Sequence, residues 1–298
     1  MKTGFVAIAG RPNAGKSTLL NALMHRKLAI VSEKPETTRS QIRGIYTGED
    51  CQIIFTDTPG IHKPKFLLDS RMMKETGSVI SGVDLIYLVV DGTQPFAKGD
   101  AFQLDMVRNA GLPVFLILNK TDRMSREKVL NTLTSWQNQF TFQEFFAVSA
   151  KTQTDFSDLV RTTAEYLPEG PALYPSDQIT DEPQEFLIAE TIREKILECT
   201  EKEVPHAVAV QVESVKEEKK GTEVRALILV ERDGQKGILI GKDGAMLKKI
   251  GTRARTEIEQ ILGRHVYLDL FVRVQPDWRM SAARISEYGY GGSDEKDE

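Results

Sequence analysis

The stretch FVAIAGRPNAGKST, residues 5–18, decides the fold. It opens with an apolar run, as in a strand that is covered on both faces of a sheet. GRPNAGKS (10–17) then has the glycine and Lys-Ser spacing of a phosphate-binding loop that leads into a helix. In such a loop backbone N–H groups surround phosphate oxygens, Lys16 neutralises their charge and the Ser17 hydroxyl binds magnesium. The stretch therefore predicts a strand–loop–helix unit that binds a phosphorylated nucleotide.

Alternating strand and helix patterns continue after this loop. Apolar runs recur as QIIFTD (52–57), DLIYLVVD (84–91), PVFLILN (113–119) and EFFAVSA (144–150). The stretches between them carry apolar residues at helical spacing. Strands that alternate with helices predict an α/β domain with a mainly parallel sheet, which we place at residues 1–167.

The rest of the chain is organised differently. Prolines occupy positions 168, 171, 175 and 183. Because proline interrupts helices and central strands, residues 168–184 are predicted to form an extended linker. The order helix, strand, strand, helix, loop, helix, strand then predicts a smaller α+β domain at residues 185–280. Residues 281–298 form a tail, whose polar end GGSDEKDE we expect to be disordered.

Composition limits the class of protein. The 298 residues are 40% hydrophobic and 28% charged, with a formal net charge of −4. With only two cysteines, Cys51 and Cys199, a disulfide framework is not expected. The sequence contains neither a signal-peptide pattern nor the roughly 18-residue apolar run that a membrane span needs, so we predict a cytoplasmic protein. Any nucleic-acid site must be a local basic patch.

Two strings at the ends of apolar runs predict which base is bound. In NKTD (119–122), the Asp122 carboxylate can accept two hydrogen bonds from guanine, a pair of donors that adenine lacks. Asn119 and Lys120 would brace the base and the loop. In VSAK (148–151), the Ala150 N–H would reach the guanine oxygen. The two strings together predict guanine.

The set GRPNAGKS, TTR, DTPG, NKTD and VSAK resembles the translation-factor class of GTPases. The resemblance implies that Asp57 holds Mg²⁺ through water and that the Gly60 N–H senses the γ-phosphate of the substrate GTP. Thr38 would complete the magnesium shell as the first switch, with Thr37 as the alternative; a plain turn rich in hydroxyl residues is the other interpretation. The predicted nucleotide site comprises Gly10, Arg11, Pro12, Asn13, Ala14, Gly15, Lys16, Ser17, Thr18, Asp57, Thr58, Pro59, Gly60, Asn119, Lys120, Asp122, Ser149, Ala150 and Lys151.

The residue after DTPG departs from the pattern of small signalling GTPases. Those proteins have a glutamine that orients the attacking water, whereas this chain has Ile61. Other members of the class carry a hydrophobic residue here and still hydrolyse GTP, so we expect slow hydrolysis that potassium and RNA stimulate. His62 could replace the glutamine as the group that orients water, but we favour a role as a solvated surface residue. By resemblance to related GTPases, Asn13 would help to bind K⁺ near the phosphates.

A second functional pattern lies in the smaller domain. IGKDG, residues 240–244, is similar to the Gly-x-x-Gly clamp that grips single-stranded RNA. Basic side chains follow it and would neutralise the RNA backbone, while Ile238, Ile240 and Leu247 would form a floor for the bases. The predicted RNA contacts are Ile240, Gly241, Lys242, Asp243, Gly244, Lys248, Lys249 and Arg253. Trp278 either stacks a base or, as we favour, caps the core.

A GTPase domain joined to one domain of the bacterial K-homology (KH) type resembles the Era family. This resemblance implies a monomeric GTPase that binds the 3′ end of small-subunit ribosomal RNA and promotes maturation of that subunit. It also implies peripheral association with the inner face of the plasma membrane. A tRNA-modifying GTPase would add a large helical domain and a reactive C-terminal cysteine, and we see neither pattern in this sequence. A double GTPase would repeat the nucleotide motifs, which occur here once. An RNA-binding protein that holds GTP without hydrolysing it stays open because of Ile61.

Overall fold

The chain forms two compact units. The structure, a computed structural model, describes residues 1–34 and 36–290. Residues 1–34, 36–64 and 71–181 make up the first unit, and residues 65–70 together with residues 182–290 make up the second. The predicted disorder of GGSDEKDE concerns residues 291–298, which lie outside the described residues.

A six-stranded sheet forms the centre of the first unit. Its strands are β1 (Lys2–Gly10), β2 (Ile42–Thr47), β3 (Cys51–Asp57), β4 (Leu85–Asp91), β5 (Val114–Asn119) and β6 (Glu144–Ala147). They lie in the order β2-β3-β1-β4-β5-β6, and all neighbours are parallel except β2 and β3. The predicted mainly parallel α/β domain is confirmed. Because parallel strands end at one edge, the loops after β1, β3, β5 and β6 meet there.

Helices connect these strands. They are α1 (Lys16–Leu23), α2 (Leu67–Ser81), α3 (Lys98–Ala110), α4 (Arg126–Gln137) and α5 (Ser157–Tyr166). One strand, β2, was not predicted, because its glycine and polar residues conceal its apolar alternation. Gly44 in this strand packs closely against α1. A Cβ at this position would lie 2.8 Å from a Leu20 methyl carbon, so a larger residue would displace this side chain. VSAK falls in a loop, since β6 ends at Ala147, and DTPG begins at Asp57, the last residue of β3.

The predicted linker has no helix or strand between residues 168 and 183, apart from one isolated bridge to Glu169. It nevertheless packs along β2 and β3. The Gln52 side chain accepts from the backbone N–H of Leu173 and Tyr174, and Arg43 pairs with Asp181 at 2.8 Å. The proline-rich stretch is therefore extended but held to the first unit.

The second unit contains a three-stranded sheet covered by helices on one face. Its elements are α6 (Gln184–Cys199), α7 (Val204–Ala207), β7 (Ala209–Glu218), β8 (Gly221–Val230), α8 (Asp233–Ile240), α9 (Ala245–Leu262), β9 (Val266–Val274) and α10 (Ala282–Glu287). β8 lies between antiparallel β7 and parallel β9. Ile192, Ile228 and Ile258 are among the residues of its core. The predicted order of elements is confirmed.

The end of this unit differs from the prediction of a tail starting at residue 281. Residues 282–287 are helical, and Tyr288 and Tyr290 are buried against the Trp278 ring. Trp278 is itself 0% exposed, and its Nε1 donates to the Ala207 carbonyl at 2.8 Å. Base stacking on Trp278 is therefore wrong, and the core-capping alternative is confirmed. Among the residues described, none of the helices combines the length and apolar character that crossing a bilayer requires.

Candidate functional site

The phosphate loop between β1 and α1 depends on its two glycines. Gly10 has φ 153° and Gly15 has φ 98°. A Cβ at Gly10 would lie 2.3 Å from the Val89 carbonyl oxygen, and one at Gly15 would lie 2.1 Å from the Asn119 amide nitrogen. Both contacts involve groups that cannot move away cheaply, so the loop can only pass between β4 and the NKTD string with glycine at these positions.

Lys16 lies inside this loop. Its side chain is buried, and Nζ donates to the Arg11 carbonyl at 3.1 Å. Burial lowers the pKa of Lys16, while the negative charge of Asp57 acts in the opposite direction. A buried ammonium with one neutral acceptor is poised to bind a strongly anionic group such as a polyphosphate.

Three oxygen-bearing side chains converge beside Lys16. Ser17 Oγ lies 2.6 Å from Asp57 Oδ2 and 2.8 Å from Thr38 Oγ1. Thr38 Oγ1 is also 3.3 Å from the same carboxylate oxygen. The other oxygen, Oδ1 of Asp57, is buried and has no hydrogen-bond partner among the described residues. Thr37 Oγ1 instead donates to the Lys34 carbonyl at 2.6 Å. A cluster of hydroxyl and carboxylate oxygens fits Mg²⁺, which prefers oxygen ligands.

Electrostatics support a cation at this cluster. Burial raises the pKa of Asp57 to about 6, although Lys16 and the hydroxyls of Ser17 and Thr38 favour its charged form. A carboxylate that is costly to charge in isolation is stabilised when a divalent cation is placed next to it.

DTPG packs directly on the phosphate loop. A Cβ at Gly60 would lie 2.7 Å from the backbone nitrogen of Pro12. Ile61 is buried at 2% exposure. His62 Nδ1 lies 2.7 Å from the Gly60 carbonyl and Nε2 lies 3.8 Å from Glu36. The Ile61 side chain thus belongs to the core and has no polar atom to offer to a water molecule.

The base-recognition strings are tied to the same loop. Asn119 Nδ2 donates to the Ala14 carbonyl at 2.9 Å. Asn119 Oδ1 accepts a hydrogen bond from the Ala150 N–H at 2.9 Å. In this structure the N–H that we predicted to contact the guanine oxygen therefore bonds Asn119. Ser149 Oγ donates to Asp122 Oδ1 at 2.7 Å and so orients this carboxylate. The structure thus brings NKTD, VSAK and the phosphate loop together.

The remaining predicted nucleotide residues are placed around this centre. Thr58 donates from N and Oγ1 to the Ile8 carbonyl at 3.3 and 3.0 Å, which holds the start of DTPG against β1. The Pro59 carbonyl accepts from Thr76 Oγ1 at 3.4 Å. Thr18 is half-buried in α1, and Lys151 is exposed at the end of VSAK.

Comparisons with known proteins agree with this geometry. Residues 5–120 match the family described as 50S ribosome-binding GTPase, and residues 203–279 match the KH domain family. The chain is 47% identical over 291 residues to GTPase Era of Clostridium kluyveri, which covers 97% of this chain and 99% of the relative. This chain belongs to the Era family of GTPases. It is therefore a GTPase with a KH domain, which answers the alternative of a protein that holds GTP without hydrolysing it.

Two solved Era structures share the whole fold. One is Era of Aquifex aeolicus, a single-residue variant bound to GDP and AlF₄⁻. The other is Era in complex with MgGDPNP and nucleotides 1506–1542 of 16S ribosomal RNA. Each is 38% identical to this chain, with a TM-score of 0.94 and coverage of 97% of this chain and 99% of the other.

The KH unit presents the Gly-x-x-Gly loop between α8 and α9. Gly241, Asp243 and Gly244 all have positive φ, at 71°, 52° and 77°. A Cβ at Gly241 would lie 2.7 Å from the Met246 Cβ. Exposed basic residues follow on the surface, namely Lys242, Lys248, Lys249 and Arg253. Arg253 lies 3.5 Å from the Glu198 carboxylate, which partly neutralises the positive charge that Arg253 can offer to RNA.

A groove of about 500 Å³ runs from this loop between α9 and β9. Leu247, Lys248 and Arg255 line one wall. The other wall, with His265 and Tyr267, escaped the sequence analysis. The strict alternation of VYLDLFVRV, which exposes large aromatics on one side, is the signal that would have revealed it. The lining does not include Ile238 or Ile240, so of the three residues predicted as a floor only Leu247 lies in the groove.

Proposed function

We propose that this protein is a GTP-driven switch that binds the 3′ end of small-subunit ribosomal RNA and assists maturation of that subunit. The observation that carries the proposal is the presence on one chain of the Ser17–Thr38–Asp57 cluster and of the α9–β9 groove. An Era relative that matches 97% of the chain was solved with MgGDPNP and a 16S ribosomal RNA segment, which supports this pair of ligands.

In the proposed nucleotide site, Ser17, Thr38 and Asp57 hold Mg²⁺, and Lys16 neutralises phosphate charge. Mg²⁺ held by these residues would stabilise the charge that develops on phosphate oxygens as the phosphoryl group is transferred to water. Asp122, which accepts a hydrogen bond from Ser149 Oγ, accepts hydrogen bonds from the N–H donors of guanine. Burial of Ile61 leaves positioning of the attacking water to backbone groups or to an external component, which supports slow intrinsic hydrolysis.

We infer that K⁺ binds beside Asn13. Its side-chain Nδ2 donates to the Glu33 carbonyl at 2.9 Å, so the Asn13 amide and the Glu33 backbone oxygen meet at the rim of the phosphate loop. A rotation of this exposed amide presents its oxygen, and the two oxygens then suit a monovalent cation. The cation would place positive charge near the phosphates.

In the proposed RNA site, the positive-φ loop Gly241–Gly244 approaches the sugar–phosphate chain, and Lys242, Lys248, Lys249 and Arg253 neutralise phosphates. Bases would lie in the α9–β9 groove, where Leu247 is apolar and Tyr267 is 51% exposed. Exposed aromatic rings of this kind stack on bases.

The test is phosphate release from GTP with the full-length protein, in K⁺ or Na⁺ buffer. An oligoribonucleotide that matches the 3′ end of small-subunit ribosomal RNA is compared with a scrambled one. We expect stimulation by K⁺ and by the matching RNA only, and loss of activity in Lys16→Ala. Equal rates with both RNAs contradict the RNA part of the proposal, and equal rates in Na⁺ contradict the K⁺ part.

The domain limits 1–167 and 185–280, a monomeric state and a cytoplasmic location are part of the same proposal. Peripheral membrane association is a prediction of the Era resemblance. Co-flotation with phospholipid vesicles tests the membrane association, and the mass of the protein in solution tests the monomeric state.

A further inference from the structure

Asp91 ends β4 beside the base-recognition string. Parallel pairing of β4 with β5 places it opposite Asn119. Its Oδ2 accepts from Lys120 Nζ at 2.8 Å. Its Oδ1 accepts from the backbone N–H and the hydroxyl of Thr93, at 3.0 and 2.6 Å. Both oxygens of the carboxylate are therefore held, and none of the nucleotide assignments above uses this residue.

The Lys120 ammonium links Asp91 to the phosphate loop. Besides its bond to Asp91, it donates to the Asn13 carbonyl at 2.7 Å. Lys120 and Asn13 have φ of 66° and 64°, in the left-handed region, which is uncommon for lysine although asparagine tolerates it. The Lys120 and Asp91 side chains are 25% and 20% exposed, so water screens this ion pair only in part.

The Asn13 carbonyl matters because its peptide also contains the Ala14 N–H. In a trans peptide the C=O and N–H groups point in opposite directions. The Ala14 N–H donates to the Arg11 carbonyl at 3.3 Å, and the Lys16 ammonium donates to the same oxygen at 3.1 Å. The bond from Lys120 thus holds the peptide whose N–H shares the Arg11 carbonyl with the Lys16 ammonium.

We propose that Asp91 is a positioning residue for the bound guanine nucleotide, acting through Lys120 on both the base-recognition loop and the phosphate loop. The inference rests on the proposed nucleotide site. A charge-assisted hydrogen bond is stronger than a neutral one. Without the carboxylate, the neutral Asn13 carbonyl is the remaining acceptor of the ammonium among the described residues. Water then competes for the ammonium, so its hold on the Asn13 peptide weakens. Bound nucleotide then dissociates faster.

Stopped-flow dissociation of a fluorescent GDP from the full-length protein with Mg²⁺ tests this role. Asp91→Asn keeps the size of the side chain and removes its charge. We expect it to dissociate GDP about tenfold faster than wild type, the loss of a single charge-assisted bond. Lys120→Met should accelerate dissociation at least as much. The double variant should be no faster than Lys120→Met alone, because Asp91 acts only through Lys120.

A matched control is Asp181→Asn. Asp181 pairs with Arg43 at the same 2.8 Å distance and is 23% exposed, close to the 20% of Asp91. It should dissociate GDP at the wild-type rate. The maximal hydrolysis rate of Asp181→Asn at saturating GTP should likewise stay within about threefold of wild type, because Asp181 contacts neither the phosphate loop nor the magnesium cluster.

Three results overturn the inference. If the two single effects multiply in the double variant, Asp91 acts independently of Lys120. If only Lys120→Met accelerates dissociation, Asp91 has no positioning role although the proposed nucleotide site stands. If neither variant dissociates GDP faster, Lys120 does not hold the nucleotide, and its assignment in the proposed site is lost as well.

Discussion

The backbone N–H of Ile61 donates a hydrogen bond to the Gly10 carbonyl oxygen at 3.0 Å. This bond joins the residue after DTPG to the first residue of the phosphate loop, and it accompanies full burial of the Ile61 side chain. Ile61 therefore anchors DTPG to the phosphate loop and does not orient water. This relationship gives the unusual apolar residue a structural role.

Ile61→Gln should not create a faster enzyme. We expect the rate of phosphate release at saturating GTP to stay within about threefold of wild type, because the new amide enters an apolar site. Burying it without partners should lower the free energy of unfolding by about 1–3 kcal/mol. Urea unfolding and phosphate release provide the two readouts, with Ile61→Leu as the control of similar volume. A tenfold faster reaction in Ile61→Gln would disprove the anchoring role.

Thr38→Ala and Thr37→Ala should differ although the residues are adjacent. Thr38 lies in the oxygen cluster with Ser17 and Asp57, so its loss should weaken Mg²⁺-dependent binding of GTP by about tenfold. Thr37 donates to Lys34 outside the cluster, and its loss should cost only about 1 kcal/mol of stability. Calorimetric titration with a GTP analogue, with and without Mg²⁺, measures the difference. The assignment of Thr38 fails if Thr37→Ala has the larger effect on binding.

Asp57→Asn should change stability in a pH-dependent way in the nucleotide-free and metal-free protein. Burial raises the pKa of Asp57 from 3.8 to about 6, so the folded state binds more protons than the unfolded state between these pH values. Stability of the wild type therefore falls as the pH rises from about 4 to 6, and the loss persists above. Near pH 7.5, Asp57→Asn should be more stable than wild type by up to about 3 kcal/mol.

The advantage of Asp57→Asn should disappear near pH 4, where both states of the wild type carry a protonated carboxyl group. Denaturant unfolding of both proteins at the two pH values makes the comparison. An advantage of equal size at both pH values would show that packing, rather than the charge of Asp57, causes it.

Lys248→Ala should weaken RNA binding in a salt-dependent way. Lys248 is exposed and lines the α9–β9 groove. Removing one phosphate contact should reduce the slope of log affinity against log salt concentration by about one. Lys219, exposed at the tip of the β7–β8 hairpin, provides the control variant Lys219→Ala. Binding titrations at several KCl concentrations measure the slopes. An unchanged slope in Lys248→Ala, or an equal change in Lys219→Ala, contradicts the groove as the RNA site.

Some features of this protein follow from the sequence alone. The phosphate loop, the NKTD and VSAK strings and most of the order of elements, though not β2 or α10, are each specified by contiguous residues. A buried parallel strand is an unbroken apolar run, and a loop that must surround phosphate needs glycines at fixed positions. These patterns are local, so they predict the fold class and place the nucleotide site.

Tertiary structure decided the rest. β2 becomes a strand through pairing with β3, despite Gly44 in its middle. Thr37 and Thr38 have the same local chemistry, and only the position of Asp57 distinguishes them. Burial of Ile61 and Trp278, the β9 wall of the groove and the Asp91–Lys120 pair all depend on segments distant in sequence. The physical reason is that burial and ion pairing are properties of the packed neighbours, and a side chain's own sequence context does not specify them.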